Sequence, residues 1–278
     1  MGKVDLHIHT TASDGKFTPA EIVRKSQASG LVYIAICDHD SIEGVIPAQE
    51  VARSLSGITV ISGVEINTDI PAGELHILGY SLDCNNLELK TTLERLRNSR
   101  IERARTMIAK LRSLGINIDY ARVRELAGTG SVGRPHIAQA MQEKGYINTL
   151  KEAFIKYISR GGPAYVERDK ITPVEATQLI LRAKGIPVMA HPYTCENPET
   201  FIRELKSAGL RGLEVYYGSY ATEQVQELLR MANQYDLIPT GGSDFHGLNG
   251  LNEPPLGTVE VPLESAERLI ALAREGKG

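Results

Sequence analysis

Residues 4–36 read VDLHIHTTASDGKFTPAEIVRKSQASGLVYIAI, and this stretch decides the fold. Val4–Ile8 and Val32–Ile36 are short apolar, β-branched runs of strand length. Between them, Thr18-Pro19-Ala20-Glu21 supplies a helix N-cap, a proline at the first helical position and an acidic residue at the third, and Gly30 ends the helix. A strand, a helix and a strand at this spacing predict an α/β protein with a largely parallel sheet.

The same rhythm extends outward. Ile58–Val64, Leu75–Tyr80, Ile186–Ala190, Gly212–Tyr216 and Leu237–Thr240 read as strands. Thr172-Pro173-Val174-Glu175 repeats the capping pattern and opens a helix closed by Gly185. Further helices run over Pro198–Ala208, before Gly209, and over Thr222–Tyr235. About seven strands favour a barrel over an open sheet. One region breaks the alternation. Leu93, Leu96, Met107, Leu111 and Leu114 recur at helical spacing, with eight basic residues between Lys90 and Arg112 mainly on the other face. More helices are expected at Tyr120–Ala127, Arg134–Lys144 and Leu150–Ile158, before Gly161-Gly162-Pro163. The expected organisation is a catalytic barrel over 1–81 and 166–278, with an all-helical insert over 82–165 in a βα connection.

Composition fixes what such a chain can be. With 278 residues, 42% hydrophobic and 23% charged, it can bury a sizeable core. It has no apolar run of membrane-spanning length, and its first residues lack a signal-peptide layout. Three scattered cysteines, Cys37, Cys84 and Cys195, make no disulfide framework, and a cytoplasmic location is expected. Trp is absent and only four Phe are present, which disfavours a nucleic-acid module built on aromatic stacking. Residues 82–165 hold 15 Lys and Arg against 8 Asp and Glu, a balance of +7. The chain as a whole carries −3, so the remainder carries −10. An acidic body with a basic segment suits a cation site facing an anionic substrate; uneven surface charge gives the same count.

Six of the seven histidines fall in or just after expected strands. His7 and His9 end the first. His39 lies in Asp38-His39-Asp40, His76 in the fourth strand, His191 after Met189-Ala190, and His246 in Gly242-Ser243-Asp244-Phe245-His246. Glu65 ends the run Ile61–Val64. Strand ends of parallel α/β folds converge on one mouth, and imidazoles and carboxylates gathered there make a metal centre. Each residue alone has a plainer role. Asp14 in Ser13-Asp14-Gly15 suits a turn, Glu65 an ion pair, His76 a strand interior and Asp244 a turn cap, and Cys37 suits packing better than ligation. Joint placement at one end of one sheet outweighs these separate readings.

Gly128–Gly133 matches G-x-G-x-x-G but follows a helix, so a dinucleotide site is unsupported and a flexible loop is expected. Gly133-Arg134-Pro135-His136 then opens a helix. Arg134 offers phosphate two parallel donors, with His136 beside it; a surface arginine and a helix-face histidine are the plainer alternative. No C-x-x-C or G-x-S-x-G is present, which leaves redox and serine-nucleophile chemistry without support.

Taken together, Asp5-Leu6-His7-Ile8-His9-Thr10, Ser13-Asp14-Gly15, Asp38-His39-Asp40, Gly63-Val64-Glu65, His76, Ala190-His191-Pro192 and Gly242–His246 resemble the PHP (polymerase and histidinol phosphatase) family. The resemblance runs from residue 4 to about 247. It implies a distorted (β/α)7 barrel with a trinuclear centre. By the family's motifs, His7, His9, Glu65 and Asp244 hold one metal. Glu65, His76 and His191 hold a second, and Asp14, His39 and His246 a third. The insert and Gly-Arg-Pro-His resemble the branch of RNase AM and the nucleoside 3',5'-bisphosphate phosphatases. That branch implies a small anionic phosphate ester as substrate, either a nucleotide or 5'-phosphorylated short RNA, bound by Arg134 and His136.

The donor chemistry agrees. Mixed imidazole and carboxylate ligands suit two to three divalent transition metals, Mn first and Fe or Zn as alternatives. Such metals acidify a bound water and clamp phosphoryl oxygens, so a metal-bound hydroxide attacking phosphorus in line is the expected reaction. Three other readings stay open: a phosphatase of another small metabolite such as histidinol phosphate, a non-catalytic metal-stabilised module, and an amidohydrolase. The last often needs a carboxylated lysine at a strand end, and Lys184 lies on an expected helix. Nothing in the sequence calls for duplex DNA, a membrane or an obligate protein partner.

Overall fold

A computed structural model describes residues 2–70, 74–128, 132–167, 169–247 and 253–275. The strands are β1 (Lys3–Ile8), β2 (Leu31–Ile36), β3 (Thr59–Asp69), β4 (Glu74–Tyr80), β5 (Ile186–Met189), β6 (Gly212–Tyr217) and β7 (Ile238–Gly242). They form one sheet in chain order. Past β7 the chain returns to β1: the His9 N–H donates to the Phe245 carbonyl at 3.0 Å, and Ile8 bridges Phe245 in parallel. The result is a nearly closed seven-stranded barrel within a mixed α/β fold, as expected.

The sheet is less uniform than a repeated strand–helix unit implies. β3 and β4 pair antiparallel, as do β4 and β5, while the other neighbours are parallel. The cause is local: four residues, 70–73, separate β3 from β4, too few for the crossover that a parallel neighbour requires. The reversal matters for the site. His76 stands near the start of β4 and pairs with Asn67 near the end of β3. An antiparallel strand therefore delivers its early residues to the mouth where parallel strands deliver their last.

Helices α1 (Pro19–Ala28), α2 (Val45–Arg53), α3 (Leu87–Ser113), α4 (Tyr120–Leu126), α5 (Arg134–Glu143) and α6 (Leu150–Ala153) are followed by a π-helical turn, Phe154–Ile158. Then come α7 (Pro173–Arg182), α8 (Pro198–Ala208), α9 (Thr222–Gln234) and α10 (Leu263–Glu275). Both Thr-Pro openings form capping boxes: Thr18 with Glu21, and Thr172 with Glu175.

The chain divides into two compact units, residues 1–93 with 170–278, and residues 94–169. The division falls inside α3 rather than at residue 82. Its first turns are tied to the first unit, where Glu88 accepts from Arg182 and Leu89 and Leu93 are buried. The barrel core joins Val4, Leu6, Ala35, Ile61, Leu78, Tyr80 and Val188 to Ala266 and Leu269 of α10. The second unit has its own core, including Met107, Leu111, Val123, Ile137, Met141 and Ile158. Of the Gly128–Gly133 motif, residues 129–131, where a flexible loop was expected, lie outside the described residues.

β1 and β6 each carry a register shift. Asp5–Ile8 of β1 spans one more residue than its partner segment Ile34–Ile36. Glu214–Tyr216 of β6 likewise opposes only Thr240–Gly241. Alternation along β1 puts Val4 and Leu6 in the core and turns His7 into the site. Closure also demands a glycine: a Cβ on Gly242 would strike the His7 main chain and lie 2.6 Å from the His7 Cβ.

Candidate metal centre

His7 and His9 leave β1 on one side, as their spacing predicts. Beyond β2 and β3, main-chain bonds continue the pairing: the Asp40 N–H donates to the Glu65 carbonyl (2.8 Å) and the Glu65 N–H to that of Asp38 (3.1 Å). This places His39 beside Glu65. The Ala190 N–H donates to the His76 carbonyl (3.0 Å), which sets His191 beside His76. His191 (φ 25°), Asp244 (φ 53°) and Asp40 (φ 50°) hold left-handed backbone, an uncommon conformation for residues with a Cβ and one that clusters at functional sites.

The nine residues assigned by sequence to metals gather at this mouth. His7 Nε2 lies 3.5 Å from Glu65 Oε2 and 3.3 Å from Asp244 Oδ1. His9 Nε2 lies 3.4 Å and 3.0 Å from the same two oxygens. These four atoms form one group in which all lie within 4.8 Å of one another. A second group joins His9, Asp14, His39 and His246, and a third His39, Glu65 and His76. Within them, His246 Nε2 is 3.4 Å from Asp14 Oδ1, and His76 Nδ1 is 2.7 Å from Glu65 Oε1. His191 joins through Glu65, with Nε2 2.9 Å from Oε1. Compared with the sets implied by resemblance, His9 also stands with the third-site residues, and His39 faces Glu65 on one side and Asp14 on the other.

A fit test comes from the atoms themselves. His7 Nε2, His9 Nε2, Glu65 Oε2, Asp244 Oδ1, Asp14 Oδ1 and His76 Nε2 are all buried without a hydrogen-bond partner. Buried polar atoms are nearly always satisfied, so six orphans in one pocket require something to satisfy them. They are all nitrogen or carboxylate oxygen, the donor set of divalent transition metals.

Electrostatics points the same way. Burial disfavours charge on each group, yet the carboxylates remain ionised. Against that burial, His39, His76 and His7 hold the Glu65 carboxyl well below its usual range. His39 and His246 do the same for Asp14, and His7, His9 and His246 for Asp244. The balancing charge sits on imidazoles. His246 is pushed up to about 10 by Asp14 and Asp244 against burial, while burial and His246 push His9 down to about 3. A pocket of anions balanced by exchangeable imidazolium protons is a place for metal ions.

A surrounding layer fixes the donors. His7 Nδ1 lies 2.9 Å from Glu214 Oε1, and the Tyr217 hydroxyl donates to Asp244 Oδ2 at 2.9 Å. The Thr10 N–H and the Thr10 and Ser13 hydroxyls donate to buried Asp38, at 2.8, 2.8 and 2.7 Å. Asp5 takes the Ser243 N–H (2.9 Å) and hydroxyl (2.7 Å). Burial pushes both Asp5 and Asp38 up to about 6, and these hydrogen bonds restrain the rise. Neither Glu214 nor Tyr217 belongs to a recognisable motif. The available signal was a charge inside the apolar run Gly212–Tyr217. Cys37 is buried, its thiol directed at the Leu6 carbonyl (3.3 Å), in keeping with packing. A cleft of about 280 Å³ adjoins the mouth, lined by Tyr217, Ser219, Ser243, Asp244, His246 and Glu253.

A family model described as PHP domain matches residues 5–240. The chain belongs to the PHP domain family. It is 34% identical over 248 residues to a 5'-3' exoribonuclease of Haemophilus influenzae, covering 88% of this chain and 90% of that one. It is 32% identical over 252 residues to a 3',5'-nucleoside bisphosphate phosphatase of Chromobacterium violaceum, covering 88% of each. A solved structure from Bifidobacterium adolescentis, described by inference as a metal-dependent phosphoesterase, superposes with a TM-score of 0.88 at 28% identity, covering 98% of this chain and 96% of that one. Another, from C. violaceum and called an amidohydrolase with bound sulfate and no metal, gives 0.85 at 29% identity, covering 98% and 97%. The relatives of this PHP chain are thus named as hydrolases, chiefly of phosphate esters.

In the second unit, Arg134 is the first residue of α5, with its guanidinium 5.7 Å from the centre of the Phe154 ring. His136 is buried, and its Nδ1 accepts the Gly133 N–H at 3.0 Å. It thereby caps its own helix, a role that its sequence context did not announce. Among the described residues no helix is long and apolar enough to cross a membrane.

Proposed function

We propose that this chain is a metal-dependent phosphoesterase of nucleotides. It removes the 3'-phosphate of nucleoside 3',5'-bisphosphates, releases nucleotides from 5'-phosphorylated short RNA, or does both. The observation that carries the reading is the meeting of His7 Nε2, His9 Nε2, Glu65 Oε2 and Asp244 Oδ1 as buried, partnerless atoms. The names of the two relatives above support the substrate class.

His7, His9, Glu65 and Asp244 hold one ion. Glu65, His76 and His191 hold another, and Asp14, His39 and His246 a third. Mn is the first choice, Fe or Zn the alternatives, since no thiolate set selects zinc. Such ions, when bound, supply Lewis acidity and an acidified water. The chain's part is to hold these donors rigid on strand ends, where preorganised charge acts without reorganisation. Arg134 binds a substrate phosphate through two donors, and His136 orients the turn that presents it. Three unpaired cysteines favour a reducing, cytoplasmic setting.

Purified protein loaded with Mn should release phosphate from adenosine 3',5'-bisphosphate or mononucleotides from 5'-phosphorylated short RNA. Metal-replete protein that turns over neither refutes the reading. Arg134→Ala should raise KM by about tenfold or more, the loss of a charge-assisted phosphate contact, while leaving metal content unchanged.

A further inference from the structure

Glu214 reaches two residues of the site at once, one through each carboxylate oxygen. It is fully buried in β6. One oxygen, Oε1, lies 2.9 Å from Nδ1 of His7 on β1. The other, Oε2, accepts the main-chain N–H of His191 at 2.6 Å. The first bond faces the ring nitrogen opposite Nε2, the His7 atom that points at Glu65 and Asp244. The second bond grips the one residue at the end of β5 whose backbone lies at φ 25°. A single carboxylate therefore ties together the donors of two adjacent metal positions from the strand that supplies neither.

From this geometry we infer that Glu214 is a positioning residue of the metal centre: it fixes the tautomer of His7 and the backbone of His191. The inference rests on the metal-centre reading above. With Oε1 as acceptor, His7 carries its proton on Nδ1 and presents the Nε2 lone pair to the pocket. That Nε2 atom is buried without a hydrogen-bond partner. The His191 N–H, held on Oε2, keeps a backbone conformation that a residue with a Cβ adopts only under constraint. The register shift in β6 begins at Glu214 itself, a device that re-aims side chains beside functional sites.

Glutamine separates these bonds from mere packing. Its volume and reach match glutamate, but it has one acceptor and one donor. If its NH2 faces His7, the ring must accept at Nδ1 and move its proton to Nε2, where it blocks ligation. If the NH2 faces His191, two donors oppose each other at a strained residue. The first orientation keeps both contacts only with the wrong His7 tautomer, and the second loses the His191 contact.

The test compares wild type with Glu214→Gln. Mn affinity is measured by calorimetry and elemental analysis, folding by circular dichroism, and the His7 ring by ¹⁵N-detected NMR of metal-free and Zn-loaded protein. Glu214→Gln should fold and bind Mn about 10- to 100-fold more weakly, and the wild-type His7 ring should carry its proton on Nδ1 when loaded. Equal affinity in the two proteins, or a loaded wild-type ring protonated on Nε2, overturns the role of Glu214 and leaves the functional reading intact. A wild type that binds no Mn or Zn overturns both. If Glu214→Gln does not fold, Glu214→Asp, which keeps the charge but not the reach to both partners, takes its place with the same expected loss.

Discussion

Glu65 lies within 4 Å of five imidazole rings: those of His7, His9, His39, His76 and His191. No other carboxylate among the described residues is placed so centrally. Glu65→Gln keeps the shape and removes the charge that these rings and the metals share. The expected result is Mn affinity lowered by more than about a hundredfold, beyond the loss typical of an outer partner, read by elemental analysis after dialysis. Tyr217→Phe makes a milder change. It strips Asp244 Oδ2 of its phenol donor and leaves an oxygen of this partly buried carboxylate short of a partner. A stability loss of about 1–3 kcal/mol in a urea titration is expected, with Mn binding about tenfold weaker. At this scale the ligand candidates could be read from the sequence because their types are chemically distinctive and their positions coincide with strand ends. Glu214 and Tyr217 could not, because a lone acid or phenol in a strand carries no signature until its partner, 207 residues away for Glu214 and 27 for Tyr217, is in place.

Helix α1 shows why some elements were plain in the sequence. The Thr18 hydroxyl accepts the Glu21 N–H at 3.3 Å, and the Glu21 carboxylate takes the Thr18 N–H at 2.8 Å. Thr18→Ala is expected to destabilise the protein by about 1 kcal/mol, read as a shift in denaturation midpoint. The Thr18 N–H and hydroxyl hold the exposed Glu21 carboxyl below its ordinary value of 4.5. Its contribution is therefore complete above pH 4.5 and is lost as pH falls through the lowered value. The difference between Thr18→Ala and wild type should accordingly narrow in acid. Where such caps exist, helix bounds were legible, as at Thr172. α2 is hidden in the sequence because Gly44 offers no side-chain cap and Pro47, which a first turn tolerates, reads as a breaker. α10 was missed because no strand follows it to complete the alternation. The direction of β4 was also hidden: apolar alternation is the same read either way. That direction makes an interior-looking His76 a mouth residue.

Closure of the barrel and occupation of its mouth are one problem for the whole molecule. β7 reaches β1 only because Gly242 has no side chain, so Gly242→Ala must push the His7 main chain aside. A loss of about 1–3 kcal/mol is expected from overpacking, together with weaker Mn binding, because the displaced segment carries a donor. The reciprocal experiment adds the metal instead of moving the donor. Asp14, Glu65, Glu214 and Asp244 bring four carboxylates to one mouth, and the unfolded chain would present them separately to solvent. Metal ions that bind only the folded arrangement stabilise it by mass action. Mn at a hundred times its dissociation constant for one site should add about 2.7 kcal/mol, roughly 5–10 °C in melting temperature for a chain of this size. A chelator should reverse the gain. His7→Ala should abolish most of it, while Arg134→Ala, which alters no donor, should keep it in full. A melting temperature indifferent to both Mn and chelator would mean that the orphaned nitrogens and oxygens at the mouth are not held for a metal.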